Sequence, residues 1–285
     1  MAGNPRQEQV RFGCETSRPW RGCPEGGSIP VMGTWLYSVV VDTRDPLRLA
    51  AWWAGTLDWW PGERTPQECT VVPPEGEAGV PLVFCRTHDV DVPARRRQRL
   101  HLDLATRTPE HQGAHVLGLI ADGALRADIG QGDAPWAVLT DPEGNQFCVL
   151  EPRPEYMDTG SVAAMVQVAH HPGRLAEFWQ AASGWDIVRD GPQGASLRHP
   201  DGHGPYLEIL YGDPVKQGKN RWHLDVAPHL HGDQDAEVAR LLGLGATHVE
   251  IGQASAAPGT LPWTVLADPE GNEFCVLKPS GRRPH

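Results

Sequence analysis

The tripeptide His-Leu-Asp occurs twice in this chain, at His101-Leu102-Asp103 and at His223-Leu224-Asp225. On a β-strand, residues i and i+2 face the same side, so each pair presents an imidazole and a carboxylate together. A carboxylate beside an imidazole fixes its tautomer and raises its basicity. Such a pair suits a general base, with His223 the candidate, or a hydrogen-bonding anchor for a ligand. The same spacing also serves a scaffold, in which the aspartate caps a backbone group and the histidine is a satisfied core residue. Trp136 and Trp263 each begin a strand, where an indole either stacks on a planar or cationic ligand or packs at a rim. His170-His171 and the His199/His203 pair fall at loop boundaries and read as surface residues. No Ser-His-Asp signature, phosphate-binding loop or dinucleotide fingerprint is present.

The elements that must position these residues are themselves written twice. Trp136 to Pro152, with the turn Asp141-Pro-Glu-Gly-Asn145, recurs as Trp263 to Pro279 with Asp268-Pro-Glu-Gly-Asn272. Arg48-Leu-Ala50 with Trp53 and Trp59 returns as Arg174-Leu-Ala176 with Trp179 and Trp185. A period this long is that of a duplicated domain rather than a solenoid repeat. The first copy reads β-α-β-β-β twice. Its strands are expected over 35–41, near 70–72 and 81–86, over 98–104, and in a hairpin over 136–140 and 147–151. Helices are expected over 46–57, with Asp45 as N-cap and Pro46 in the first turn, and over 109–121, with Gly123 as the stop. The second copy repeats the scheme, with helices near 172–182 and 234–242. Trp52, Trp53, Trp59, Trp60, Trp179 and Trp185 fall on or just after the first helix of each copy, where core packing accounts for most of them.

Composition narrows the class. A length of 285 residues suits about two domains, and 40% hydrophobic with 21% charged residues is a globular balance. No apolar run reaches the ~18 residues of a membrane span, and nothing near the start reads as a signal peptide. Six scattered cysteines with no CxxC pair suggest reduced thiols and a cytoplasmic setting. A formal net charge of −11 argues against nucleic acid as a partner and is compatible with a cationic small ligand. The run Arg95-Arg-Arg-Gln-Arg99 is expected to be a solvated loop. Residues 1–32 have no periodicity and are expected to be a disordered extension, with Met32 as an alternative start of translation.

A βαβββ unit used twice per copy, with the His-Leu-Asp strand and the Asp-Pro-Glu-Gly-Asn turn, resembles the vicinal oxygen chelate superfamily. The resemblance is to its glyoxalase-like branch, related to the glyoxalase–bleomycin resistance proteins, and covers nearly everything after the extension. It implies an α+β fold of tandem domains, each of two βαβββ modules forming a curled eight-stranded cup. The boundaries that follow are 1–32 for the extension, 33–152 and 159–279 for the two domains, 153–158 for the linker and 280–285 for a tail. Two fused copies supply internally the pairing that single-domain relatives obtain by dimerising, so a monomer or a homodimer is expected.

The resemblance also implies ligand positions on the first, fourth, fifth and eighth strands of each cup, where enzymes of the superfamily hold a divalent metal. Carried over copy by copy, these are Ser38, Val83, His101 and Cys148, then Ala164, Glu208, His223 and Cys275. Valine and alanine coordinate nothing, so the expectation is no cofactor and a small-molecule site, for an antibiotic or metabolite. The residues expected to bind it are His101, Asp103, Trp136, Cys148, Glu208, Asp225, Trp263 and Cys275. The alternative is a metal-dependent enzyme of lyase, isomerase or dioxygenase type, with one divalent metal held by His223 and Glu208 in the second domain.

Overall fold

The computed structural model describes residues 33–87, 98–212, 216, 218–249, 251 and 262–279. The N-terminal extension, the arginines at 95–97 and the tail at 280–285 lie outside the described residues. Three of the four described α-helices begin at a capping side chain. Asp45 accepts the Arg48 amide at the head of α1 (Pro46–Leu57), and Thr108 accepts the His111 amide at the head of α2 (Pro109–Ala121). Gly123, at φ 101°, turns the chain out of α2.

Four modules follow one another. The first is β1 (Thr34–Thr43), α1, β2 (Trp60–Arg64), β3 (Glu68–Val72) and β4 (Leu82–Arg86). The second is β5 (Leu100–Leu104), α2, β6 (Leu125–Arg126), β7 (Ala137–Thr140) and β8 (Gln146–Val149). The third is β9 (Val162–Ala169), α3 (Pro172–Ser183), β10 (Asp186–Gly191), β11 (Gly194–Arg198) and β12 (Tyr206–Tyr211). The fourth is β13 (Trp222–Pro228), α4 (Gln234–Gly243), β14 (Thr247–His248), β15 (Trp263–Ala267) and β16 (Glu273–Leu277). Trp60, read from sequence as trailing a helix, opens the edge strand β2 and is 56% exposed.

Two eight-stranded mixed sheets result, each of two modules, but the partners come from different copies. One sheet runs β14-β15-β16-β13-β1-β4-β3-β2 and the other β10-β11-β12-β9-β5-β8-β7-β6. The outer modules, first and fourth, share what we name the terminal cup. The inner modules, second and third, share the central cup. The seams are antiparallel pairs, with Val40 opposite His223 across β1/β13 and Val166 opposite His101 across β9/β5.

Alternation along each strand sends one set of side chains to a common core. Val39, Val41, Leu82, Phe84, Leu102, Leu104, Phe147, Leu224 and Phe274 belong to one continuous apolar cluster with α1 and α3. Trp53 lies edge-on to Phe147 and to Trp222, with ring centroids 5.2 and 5.6 Å away, so one indole joins both sheets. The other face of each sheet is the inside of its cup.

The Asp-Pro-Glu-Gly-Asn turns fasten the two sheets together. Asp141 is fully buried and accepts the amides of Glu143 and Asn145, the Asn145 side chain and the Trp53 indole N–H. Asp268 repeats this with Glu270, Asn272 and Trp179, and adds the Gln167 amide. Glu143 reaches across to accept the Thr43 hydroxyl, the Arg44 and Asp45 amides and the Arg221 guanidinium. Glu270 likewise accepts the His170 and His171 amides, while Arg99 donates to its carbonyl oxygen. Arg99 is therefore a buried cross-sheet residue, 5% exposed, and not part of a solvated loop.

Candidate functional site

Strand register builds the terminal cup. His223 and Asp225 project from β13 on one face, as their spacing requires. Asp225 lies level with Cys275 on the neighbouring parallel strand β16 and opposite Ser38 on β1. The Ser38 hydroxyl donates to Asp225 Oδ2 at 3.3 Å, and Cys275 Sγ is 3.6 Å from His223 Nε2. Asp225 Oδ1 is 3.5 Å from His223 Nε2. Among the described residues, Asp225 Oδ1 and His223 Nδ1 have no hydrogen-bond partner. Both side chains are more than nine-tenths buried. Trp35 and Tyr37 lie farther along β1 with ring centroids 4.9 Å apart and planes tilted by 52°, and Trp263, opposite Leu277, falls on the Cys275 face.

Burial sets the charges here. Desolvation lowers the His223 pKa to about 3, with the Lys219 charge acting in the same direction. Desolvation raises Asp225 to about 7, with Ser38 and Cys275 as opposing hydrogen bonds and Glu68 adding to the rise. The Cys275 thiol is also pushed up, by burial and then by Asp225. The expected gain in imidazole basicity from the neighbouring carboxylate is thus reversed. A His223 this weakly basic is a hydrogen-bonding group rather than a general base at neutral pH. The cysteine is a buried thiol and not an activated nucleophile.

The central cup holds the equivalent residues with a different neighbourhood. His101 Nε2 is 3.4 Å from Asp103 Oδ1, an oxygen without a hydrogen-bond partner among the described residues. Cys148 lies level with Asp103, and its thiol is raised by burial. Glu208, on β12, belongs to this cup. It accepts the Tyr156 hydroxyl at 3.2 Å, the Ser196 hydroxyl at 2.7 Å and the Arg189 guanidinium at 2.9 Å. Trp136 packs against the Val138–Cys148–Tyr156 cluster, with the Arg153 guanidinium 5.7 Å from its ring centroid.

One expectation is corrected by this arrangement. Glu208 and His223 lie in different sheets, so they do not form one metal site in the second domain. The reason is the exchange of modules: the terminal cup takes Ser38, Val83, His223 and Cys275 at the four strand positions, and the central cup takes Ala164, Glu208, His101 and Cys148. Neither set fits the superfamily's metal. Valine and alanine offer no donor, the Ser38 hydroxyl is committed to Asp225, and both Glu208 oxygens already accept hydrogen bonds. A different set does converge in each cup. The donor atoms of His223, Asp225 and Cys275, and those of His101, Asp103 and Cys148, lie within 4.8 Å of one another.

Sequence reasoning missed Tyr156, Arg153, Ser196 and Arg189. A tyrosine inside a short polar linker, in a chain with only four, was the available signal for the first.

The sequence profile of the glyoxalase-like domain matches residues 38–150 and again 163–277. No curated protein sequence matches the chain. Among solved structures, glyoxalase I from Zea mays superposes with a TM-score of 0.56 at 14% identity, over 86% of this chain and 92% of that one. A putative dioxygenase from Bacillus subtilis gives 0.55 at 9% identity, over 86% and 84%. At these identities the likeness establishes the fold alone. With two matched copies spanning most of its length, the chain belongs to the glyoxalase-like domain family, as a tandem protein of the vicinal oxygen chelate superfamily.

Proposed function

We propose that this protein binds a small organic molecule, an antibiotic or metabolite, in the terminal cup, through its own polar groups and without the superfamily's metal. The observation that carries this reading is the pair of buried, unpartnered atoms, Asp225 Oδ1 and His223 Nδ1. An orphaned buried polar atom costs about 1–3 kcal/mol, a cost that a ligand supplying the missing hydrogen bond removes. Trp35, Tyr37 and Trp263 add an aromatic wall suited to a planar or cationic compound. The chain makes both module pairings internally, which supports a monomer. A cytoplasmic setting, read from the scattered cysteines without a CxxC pair, belongs to the same proposal.

Isothermal titration against planar, cationic and peptide-like compounds tests the reading. A binder is expected at one site per chain, and Asp225→Ala should weaken it about tenfold, the worth of partnering an orphaned buried polar atom. Failure of the whole panel, or affinity indifferent to Asp225→Ala, would count against it.

A metal-dependent enzyme of lyase, isomerase or dioxygenase type is the second reading, favoured by one observation. The 3.5 and 3.6 Å separations of His223 Nε2 from Asp225 Oδ1 and Cys275 Sγ match the edges of a tetrahedron around zinc, with bonds of about 2.0 Å to N or O and 2.3 Å to S. Elemental analysis of protein purified without chelators separates the two. Stoichiometric metal lost on His223→Ala would replace the first reading with the second.

A further inference from the structure

We propose that the central cup is a site for a phenolic ring, and that the chain fills it with Tyr156 of its own linker. After β8 the chain makes a single 3-10 turn, Pro154–Tyr156, that inserts one aromatic side chain among the cup's inner residues. Tyr156 is 9% exposed and clusters with Val138, Cys148, Leu150 and Ala163. Its ring meets Tyr206 edge-on at 5.6 Å, and its hydroxyl donates to Glu208.

These are the contacts a bound phenol would make: an apolar slot, an edge-on aromatic partner, a carboxylate acceptor at the hydroxyl end and a cation over the face. The cation is Arg153, whose guanidinium lies 5.9 Å from the Tyr156 ring centroid and is oriented by Glu151. Burial first, then Glu208 and Asp103, raise the tyrosine's pKa, so the ring is held as a neutral donor. The linker is fastened on its far side by Asp158 to Arg198, which in turn covers Tyr206.

At the strand position of Glu208 the terminal cup carries no acceptor side chain. Its fourth-strand position is Val83, and Thr70 stands where the central cup has Ser196. The two cups are therefore chemically different sites despite their common origin. A tether of a few residues gives Tyr156 a millimolar effective concentration, enough to exclude simple phenols from the intact protein.

The test measures p-cresol and toluene binding to the full chain by titration calorimetry and thermal melting. Wild type and Tyr156→Phe should bind neither. Tyr156→Ala should melt at lower temperature, bind one p-cresol where wild type binds none, and prefer it about tenfold over toluene, which lacks the hydroxyl. Asp158→Ala keeps the cup filled but loosens the strap at a half-exposed residue, so it should bind p-cresol with intermediate affinity. This variant carries the test if Tyr156→Ala does not fold. The proposal is overturned if wild type binds p-cresol as tightly as the variants, if toluene binds equally well, or if folded Asp158→Ala and Tyr156→Ala both bind nothing.

Discussion

Asp141→Ala should lower stability by about 3–5 kcal/mol, one of the largest losses any single substitution can cause here. The carboxylate accepts four hydrogen bonds in a site closed to water, from two backbone amides, an asparagine side chain and the Trp53 indole. Alanine strands all four donors, at about 1–3 kcal/mol each before relaxation. The damage does not stay within the turn. Glu143, two residues on, holds the end of β1 and the start of α1 on the opposite sheet, together with Arg221 of the fourth module. Losing the turn therefore loosens a seam between modules, and the midpoint in urea should fall with no change in the far-ultraviolet spectrum of the folded state. A melting temperature lower by about 10 °C is expected for a chain of this size. Asp268→Ala should lose at least as much, since Asp268 has the equivalent partners on the other side and accepts the Gln167 amide besides. A loss below about 1 kcal/mol in either variant would show that the family's signature turn is not a latch.

Much of this organisation was legible from residue order. Proline behind a capping aspartate or threonine fixes the starts of α1 and α2, because proline needs no amide partner in the first helical turn. The His-x-Asp spacing fixes a shared face, because strand periodicity is two. The partnership of modules was not legible. β1 can pair with β5 or with β13, which carry the same His-Leu-Asp segment, and strand order within a sheet is equivalent either way. The choice is made by side chains far apart in sequence, such as Trp53 against Trp222 and Arg99 against Glu270, which share no local pattern. An arginine two residues before the histidine in both copies, Arg99 and Arg221, was a usable sign of the cross-sheet role. In the first copy it was hidden at the end of a basic run. The direction of the histidine shift was also out of reach. The neighbouring carboxylate is visible in sequence, but the burial that outweighs it is a property of the folded cup.

In the metal-free protein, with a chelator present, His223 and Asp225 should cancel each other's effect on stability between about pH 4 and pH 6.5. His223 has a folded pKa of about 3 against an ordinary 6.5, and Asp225 about 7 against an ordinary 3.8. Across that interval the unfolded chain carries a protonated histidine and an ionised aspartate, whereas the folded chain carries a neutral histidine and a protonated aspartate. Each state binds one proton, so this pair contributes no slope. Single substitutions should expose two opposite slopes of about 1.4 kcal/mol per pH unit. In Asp225→Asn only the histidine remains, and below pH 6.5 the unfolded state binds the extra proton, so stability falls as pH drops toward 3. In His223→Gln only the aspartate remains. The folded state then binds the extra proton above about pH 4, so stability falls as pH rises to about 7 and levels off beyond it. Each variant should move by up to about 4 kcal/mol relative to wild type across its window. Lys219, Glu68, Cys275 and Ser38 face the pair in all three proteins, so their contribution is largely common to the comparison. Urea titrations from pH 4 to pH 8 read the effect directly. Parallel curves for wild type and both variants would mean that water or solvent counter-charge reaches these groups, and that the terminal cup is not the dry polar site on which ligand binding there depends.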